Sequence, residues 1–254
     1  MKTTNKPALA LAATISALFD FLGVPTASHA GNEPHMHDMM TWKPELFLMS
    51  ELLEYVPLAQ ERPLRYDLTG WFGGDTNRIW MKAEGSQSTE AEAGETEVQL
   101  LYGRLISPFW DVQAGLRLDL GYGGGTDARV LLAVGLEGLA PGWFEVEPSL
   151  FVSHEGDVSA SLTTSYDLYL TQRLVAQARF ETAAAVQSVP EFGIGAGING
   201  VDLGLRIRYE IAREFAPYVG VAWQRRLMES GDLARAAGED LGQVSVVLGL
   251  QLWY

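Results

Sequence analysis

Cysteine is absent from the 254 residues. That excludes disulfides, thiolate zinc sites, thiol nucleophiles and iron–sulfur clusters. An exported domain of this length can dispense with disulfides if it closes a large sheet on itself. Positive charge is scarce. Lys and Arg number 18 against 32 Asp and Glu, a formal net charge of -14. Nucleic-acid phosphates would be repelled by such a chain. Long apolar runs are missing too. Beyond residue 30 nothing approaches the roughly 18 consecutive apolar residues that a membrane helix needs. Any insertion into a bilayer must therefore be by strands. Histidine is rare, and His154 is the only one after residue 43.

What is present begins with an address. Lys2 and Lys6 precede the largely apolar Ala8–Leu22, and Ser28-His29-Ala30 offers the small residues a signal peptidase requires. Residues 1–30 are thus expected to be a secretory signal peptide that is removed. Residues 31–44 form a short polar tail, and residues 45–254 are expected to be one domain.

That domain alternates almost without a break. In Gln243–Tyr254, Val244, Val246, Leu248, Leu250, Leu252 and Tyr254 share one parity, opposed by Gln243, Ser245, Gly249 and Gln251. Side chains alternate faces along a strand, so one face is apolar throughout. About twelve such segments run from Leu46 to Tyr254, an even number. Val201, Leu203, Leu205, Ile207 and Tyr209 oppose Asp202, Gly204, Arg206, Arg208 and Glu210 in one of them. A soluble sandwich buries the apolar face; a barrel in lipid turns it outward and keeps the charges in its lumen.

Connection lengths separate the two. Every second link is tight: Gly74–Asn77, Ser107–Phe109, Ala140–Trp143, Thr171–Arg173 and Ala212–Ala216. The others are longer and polar, His154–Asp157 excepted: Val56–Pro63, Gln87–Glu95, Gly121–Ala128, Ala185–Gly200 and Arg226–Leu241. Short periplasmic turns and longer extracellular loops mark an outer-membrane antiparallel β-barrel. Aromatics gather near the tight turns, among them Trp71, Phe72, Phe109, Trp143, Phe144, Tyr218 and Trp253. An interfacial girdle would place them there. The lumen is then lined by Arg117, Arg129, Arg179, Arg206 and Arg208 with Asp111, Asp119, Glu137, Glu145, Glu147, Asp167, Glu181, Asp202 and Glu210. Buried charges persist when paired, so ion pairs are expected for these arginines.

Chemistry-bearing motifs are few. Gly195-x-Gly197-x-x-Gly200 matches a dinucleotide fingerprint, but a strand pattern follows it where a helix is required. No histidine sits mid-strand to act as a base beside a nucleophile, so no enzyme is expected. The outlier is His35-Met36-His37-Asp38-Met39-Met40 in the tail. Thioether sulfur is soft and suits Cu(I), and imidazole suits Cu(II) as well. His35, Met36, His37, Met39 and Met40 are the candidate metal ligands. Met49 and Glu51 share a parity on the first strand and could extend a site.

Several stretches carry a family resemblance. They are Gly70–Gly85 (GWFGGDTNRIWMKAEG), Val98–Asp119 with SPFWDVQAGLRLD, Leu139–Ser153 (LAPGWFEVEPSLFVS), Tyr166–Phe180 (YDLYLTQRLVAQARF), Gly204–Trp223 (GLRIRYEIAREFAPYVGVAW) and Asp232–Asp240 (DLARAAGED). Together they resemble the copper resistance protein B family over residues 64–254. The resemblance implies an outer-membrane protein of a bacterial copper-resistance system, binding copper ions beside a periplasmic multicopper oxidase. Members often carry a long His/Met/Asp-rich stretch before the barrel, and here it shrinks to His35–Met40. The alternatives are a passive porin-like channel for cations or small solutes, and an outer-membrane hydrolase.

Overall fold

Alternation of this kind forces a sheet, and the lack of any edge-protecting device forces the sheet to close. The computed structural model describes residues 44–59, 61–91, 93–123 and 127–254. Twelve strands form one closed barrel: β1 Glu45–Tyr55, β2 Leu64–Gly73, β3 Asn77–Gln87, β4 Gly94–Ser107, β5 Trp110–Tyr122, β6 Asp127–Ala140, β7 Phe144–Ser153, β8 Val158–Tyr169, β9 Leu174–Ala185, β10 Gly197–Tyr209, β11 Phe215–Arg226 and β12 Gly242–Trp253. Each strand pairs antiparallel with the next, and β12 returns to β1 through Ser50 opposite Leu252 and Tyr55 opposite Leu248. The expected strands are all present. The one notable shift is β10, which begins at Gly197 instead of Val201.

Alternate residues differ sharply in exposure. Leu131 is 1% exposed and Leu132 61%; Val247 is 0% and Leu248 46%. Leu100, Leu116, Val134, Leu150, Leu205, Val219 and Val244 are exposed around the whole outer wall. An apolar belt of that extent is far beyond what a protein in water tolerates, and lipid is the medium it fits. Leu248 and Leu252 face outward as the alternation requires, while Gln251 is buried inside.

The tight links cluster at one end with both strand termini. At Gly142 and Trp143 both φ angles are positive, 91° and 67°. That pair of left-handed residues twists the turn to match its flanking strands. It leaves Trp143 projecting from the barrel end, with Phe72, Phe109 and Phe144 also exposed there. The girdle expectation needs one correction. Trp71, Tyr218 and Trp253, the last paired with inward-pointing Met49, lie at the right height but on the inward parity. Tyr218 is buried, and Trp71 packs on an interior cluster of Trp80, Leu101, Leu131, Ala133 and Phe151.

The longest loop holds a helix that the polar reading of Arg226–Leu241 did not anticipate. Helix α1, Met228–Ala237, ends on Gly238 at φ 77°, whose N–H donates to the Ala234 and Arg235 carbonyls. Glycine takes that left-handed cap without strain. Ser230 Oγ accepts the Gly195 N–H at 2.7 Å, and Glu229 Oε2 accepts that of Ala196 at 2.8 Å. These contacts tie α1 to the β9–β10 loop. Gly195, Gly197 and Gly200 therefore serve loop packing and a strand start, with no helix after them.

Candidate functional site

The lumen is where the charges converge. Its alternating positions bring β2–β5 into a direct cross-strand row: Asp67 opposite Glu84, Glu84 opposite Glu97, and Glu97 opposite Asp119. Like charges set directly opposite destabilise a sheet. Arginines answer them. Arg179 on β9 reaches Asp67 at 2.6 Å, Glu51 at 2.8 Å, and Glu181. Arg117 meets Asp119 at 2.6 Å and Glu97, and Arg129 meets Asp119 at 3.0 Å. Glu84, in the middle of the row, makes no ion pair among the described residues and faces the open lumen.

The expected pairing of Arg117, Arg206 and Arg208 is found. Arg206 Nε donates to Glu54 Oε1 at 2.6 Å, with both side chains buried. Arg208 meets Asp167 at 2.7 Å. Lys82 spans the lumen from β3 to Glu137 on β6 at 2.8 Å and Glu147 on β7 at 2.5 Å. Gln113 joins Glu137 at 2.8 Å, and Arg78 joins Asp111 at 3.1 Å over the Trp71 ring. Toward the tight turns Trp80, Asp111, Gln113, Tyr218 and Gln251 are all buried, so side chains fill that half.

The other half is open space. A cavity of about 680 Å³ is lined by Glu51, Asp67, Glu84, Glu97, Arg117, Arg179 and Glu181 along its wall, and by Ile194, Ser230, Leu241 and Gln243 at the long-loop end. Phe192 leans in from the β9–β10 loop, its ring 4.9 Å from the Arg129 guanidinium carbon. The lumen is thus an acid-rich vestibule facing the extracellular loops above a filled periplasmic half.

Glu54, Asp67, Glu84, Glu97, Arg65, Arg78 and Lys82 were not singled out from the sequence. Most were readable: Arg65, Asp67 and Thr69 alternate with Tyr66 and Leu68. Glu54 was not. The register of β1 slips between Ser50 and Leu52 against β2 and between Ser50 and Glu54 against β12. That bulge lets both Glu51 and Glu54 reach inward, whereas strict alternation would set them on opposite faces.

His35, Met36, His37, Met39 and Met40, the candidate copper ligands, lie outside the described residues, as does the expected leader over residues 1–30. Met49 points inward, its sulfur 4.0 Å from Gln251 Nε2. His154 sits in an exposed turn. Among the described residues no group of three or more His, Asp and Glu is placed to hold a metal ion.

Comparison with known proteins agrees with this architecture. A solved structure of the NanC porin matches with a TM-score of 0.50 at 11% identity, over 82% of this chain and 99% of that one. The likeness speaks to the barrel fold. The copper resistance protein B homolog of Pseudomonas syringae pv. tomato is 37% identical over 227 residues, covering 89% of this chain and 74% of its own length. Copper resistance protein B of Escherichia coli is 41% identical over 207 residues, covering 82% of this chain and 69% of its own length. The family model described as copper resistance protein B precursor matches residues 45–254, the span of the barrel. By that match and those identities, the chain belongs to the copper resistance protein B family.

Proposed function

We propose that this protein binds copper ions at the outer membrane as part of a copper-resistance system, and that it is not an enzyme. The carrying observation is the barrel's acid-rich lumen in a chain of this family, whose sequence before the barrel is dense in His and Met. The outward apolar wall supports placement in the outer membrane, and Lys2–Ala30 supports export by a cleaved signal. Both strand termini lie at the tight-turn end. The tail, residues 31–44, therefore meets the barrel on the periplasmic side, where a multicopper oxidase could exchange copper with it.

The chemistry divides between two regions. Met36, Met39 and Met40 supply soft sulfur for Cu(I), with His35 and His37 completing the set. The vestibule supplies negative potential that concentrates cations, and Glu84 is a carboxyl in it that meets no cation among the described residues. Ordering a chain segment around an ion costs about 1–2 kcal/mol per residue. Exchange therefore suits the tail better than storage. The filled lumen half speaks for binding over free conduction, which weakens the reading as a passive cation channel. A hydrolase is disfavoured by the exposed turn position of His154, whose charged neighbour Glu155, at 3.9 Å, is exposed as well.

The test is a competition titration of the purified protein against a Cu(I) chelator. Replacing His35, Met36, His37, Met39 and Met40 with Ala or Ser should leave the barrel folded and weaken Cu(I) binding at least tenfold, about 1.4 kcal/mol. Unchanged affinity would reduce the tail to a spacer.

A further inference from the structure

One loop crosses the long-loop end of the vestibule. The β9–β10 loop, residues 186–196, sends Phe192 to Arg129 on β6, with 4.9 Å between the ring and the guanidinium carbon. The strands run β9, β8, β7, β6 around the wall, so the loop passes over β8 and β7 to make this cation–π contact. Those two strands are joined by the short turn of residues 154–157, which keeps the rim low where the loop crosses. The loop tip is closed on itself. Val189 N–H donates to the Ile194 carbonyl at 2.7 Å, Ile194 N–H donates back to that of Val189 at 3.2 Å, and Gly193 turns between them at φ 66°. Phe192, Gly193 and Ile194 thereby form part of the cavity lining.

The seat of this loop is slight. Of residues 186–196 only Gly195 is buried, and it lies against α1. A segment with so little buried surface belongs to the low-stability end of a fold. Two hydrogen bonds from α1 hold it, Ser230 Oγ to the Gly195 N–H and Glu229 Oε2 to that of Ala196. The fit demands glycine, because a Cβ on Gly195 would stand 2.2 Å from the Ser230 backbone nitrogen. Helix α1 is better anchored. Leu227 N–H donates to the Asn199 carbonyl of β10 at 2.8 Å, and Ser230, Gly231 and Ala234 are buried. A firm helix thus holds a weakly seated loop.

We infer that the β9–β10 loop is a lid over the vestibule, latched by α1, and that its release opens the acid-lined cavity to cations from the extracellular side. Phe192 is the part that obstructs, and Gly195 is the point at which the lid is held. Side chains fill the other half of the lumen, so the vestibule exchanges with solvent through this end. The acid lining draws cations through the opened mouth. The inference rests on the vestibule of the copper reading, but access to the cavity does not depend on which ion it holds.

The experiment exploits the absence of native cysteine. Ser161, on β8 beneath the crossing loop, lines the cavity, and Ser161→Cys is nearly isosteric. The full chain carrying Ser161→Cys, folded in detergent, is treated with a trimethylammonium-bearing methanethiosulfonate, and labelling is followed by mass spectrometry. His154→Cys, in an exposed turn, gives the rate for open access. Ser161→Cys should label at least tenfold more slowly. Adding Gly195→Ala should raise its rate at least tenfold. That variant adds a methyl group and removes no bulk, so the gain can come only from displacement of the loop. Phe192→Ala, which removes the obstruction and leaves the latch, should raise the rate at least threefold. Heat-modifiable gel mobility checks that every variant is a closed barrel. Labelling of Ser161→Cys as fast as His154→Cys, or unchanged rates in the two lid variants, would overturn the proposal. No copper is present, so either result leaves the chelator titration to decide the copper reading by itself.

Discussion

The pair Arg206–Glu54 offers a test of what the charged lumen costs. Glu54 is wholly buried, and Arg206 is 4% exposed. Arg206 Nε lies 2.6 Å from Glu54 Oε1. Two glycines make room for the guanidinium arm. A Cβ on Gly204 would stand 2.2 Å from Arg206 Nη1, and one on Gly220 would stand 2.9 Å from its Cγ. The sequence therefore specifies this side-chain position through its neighbours as well as its partner. Truncating one member of a buried pair leaves an uncompensated charge, at a cost of about 3–5 kcal/mol. At about 1.4 kcal/mol per tenfold, Arg206→Met should lower the folding equilibrium roughly a hundred- to several-thousand-fold.

Removing both charges is a different perturbation. Buried pairs replaced by apolar groups of similar volume are often neutral or stabilising, because desolvation offsets most of the attraction. Glu54→Leu combined with Arg206→Met should therefore recover most of the loss. The assay is urea unfolding in lipid vesicles, read by tryptophan fluorescence, on the parent, both single variants and the double variant. Added salt should change the coupling little, because buried pairs are weakly screened. An Arg206→Met cost below about 1 kcal/mol, or a double variant as unstable as the two singles summed, would refute the account.

Three further outcomes follow from the same geometry. Leu248→Arg places a charge on the lipid face and should cost about 2–4 kcal/mol near the midplane, measured by the same unfolding; a cost near zero would mean that this face is wet. Gly249→Ala puts a Cβ 2.3 Å from the Tyr218 ring. It should destabilise by about 1–3 kcal/mol through overpacking, and Tyr218→Phe should not rescue it, because the ring carbons stay in the way once the hydroxyl, at 2.5 Å, is removed. In planar bilayers the parent should be nearly silent, whereas Lys82→Ala, which unties β3 from Glu137 and Glu147, should give cation-selective steps; porin-sized conductance from the parent would contradict a filled periplasmic half.

Much of this architecture was legible in the chain because a barrel wall has one simple period. Alternation marks every strand, and the unequal links mark which end is which. The lumen-facing arginines follow from parity alone. What parity cannot supply is a place where it breaks. The bulge in β1 inserts a residue without any Gly or Pro to announce it, so Glu54 reads as outward. Trp71 and Tyr218 mislead for a related reason. Distance from a turn fixes the height of a side chain but not its face. Helix α1 was hidden because Met228–Ala237 lacks an apolar stripe, and it is held by hydrogen bonds to a loop distant in sequence.

Partnership across the lumen was the least legible feature, and it is the one on which the site depends. Asp67, Glu84, Glu97 and Asp119 follow from alternation, and their register places them side by side. As an open sheet, that row would repel itself. Closure changes the sign of the problem. Strand tilt and stagger in a barrel decide which distant strands face each other, and no local pattern encodes them. Only the closed barrel brings Arg179 across to Asp67, 112 positions away in sequence. The acid row is thus tolerated because the barrel closes, and closure is reinforced because the row needs its arginines. Glu84 is left over from that balance. Among the described residues it is the one carboxyl of the row that no arginine or lysine meets.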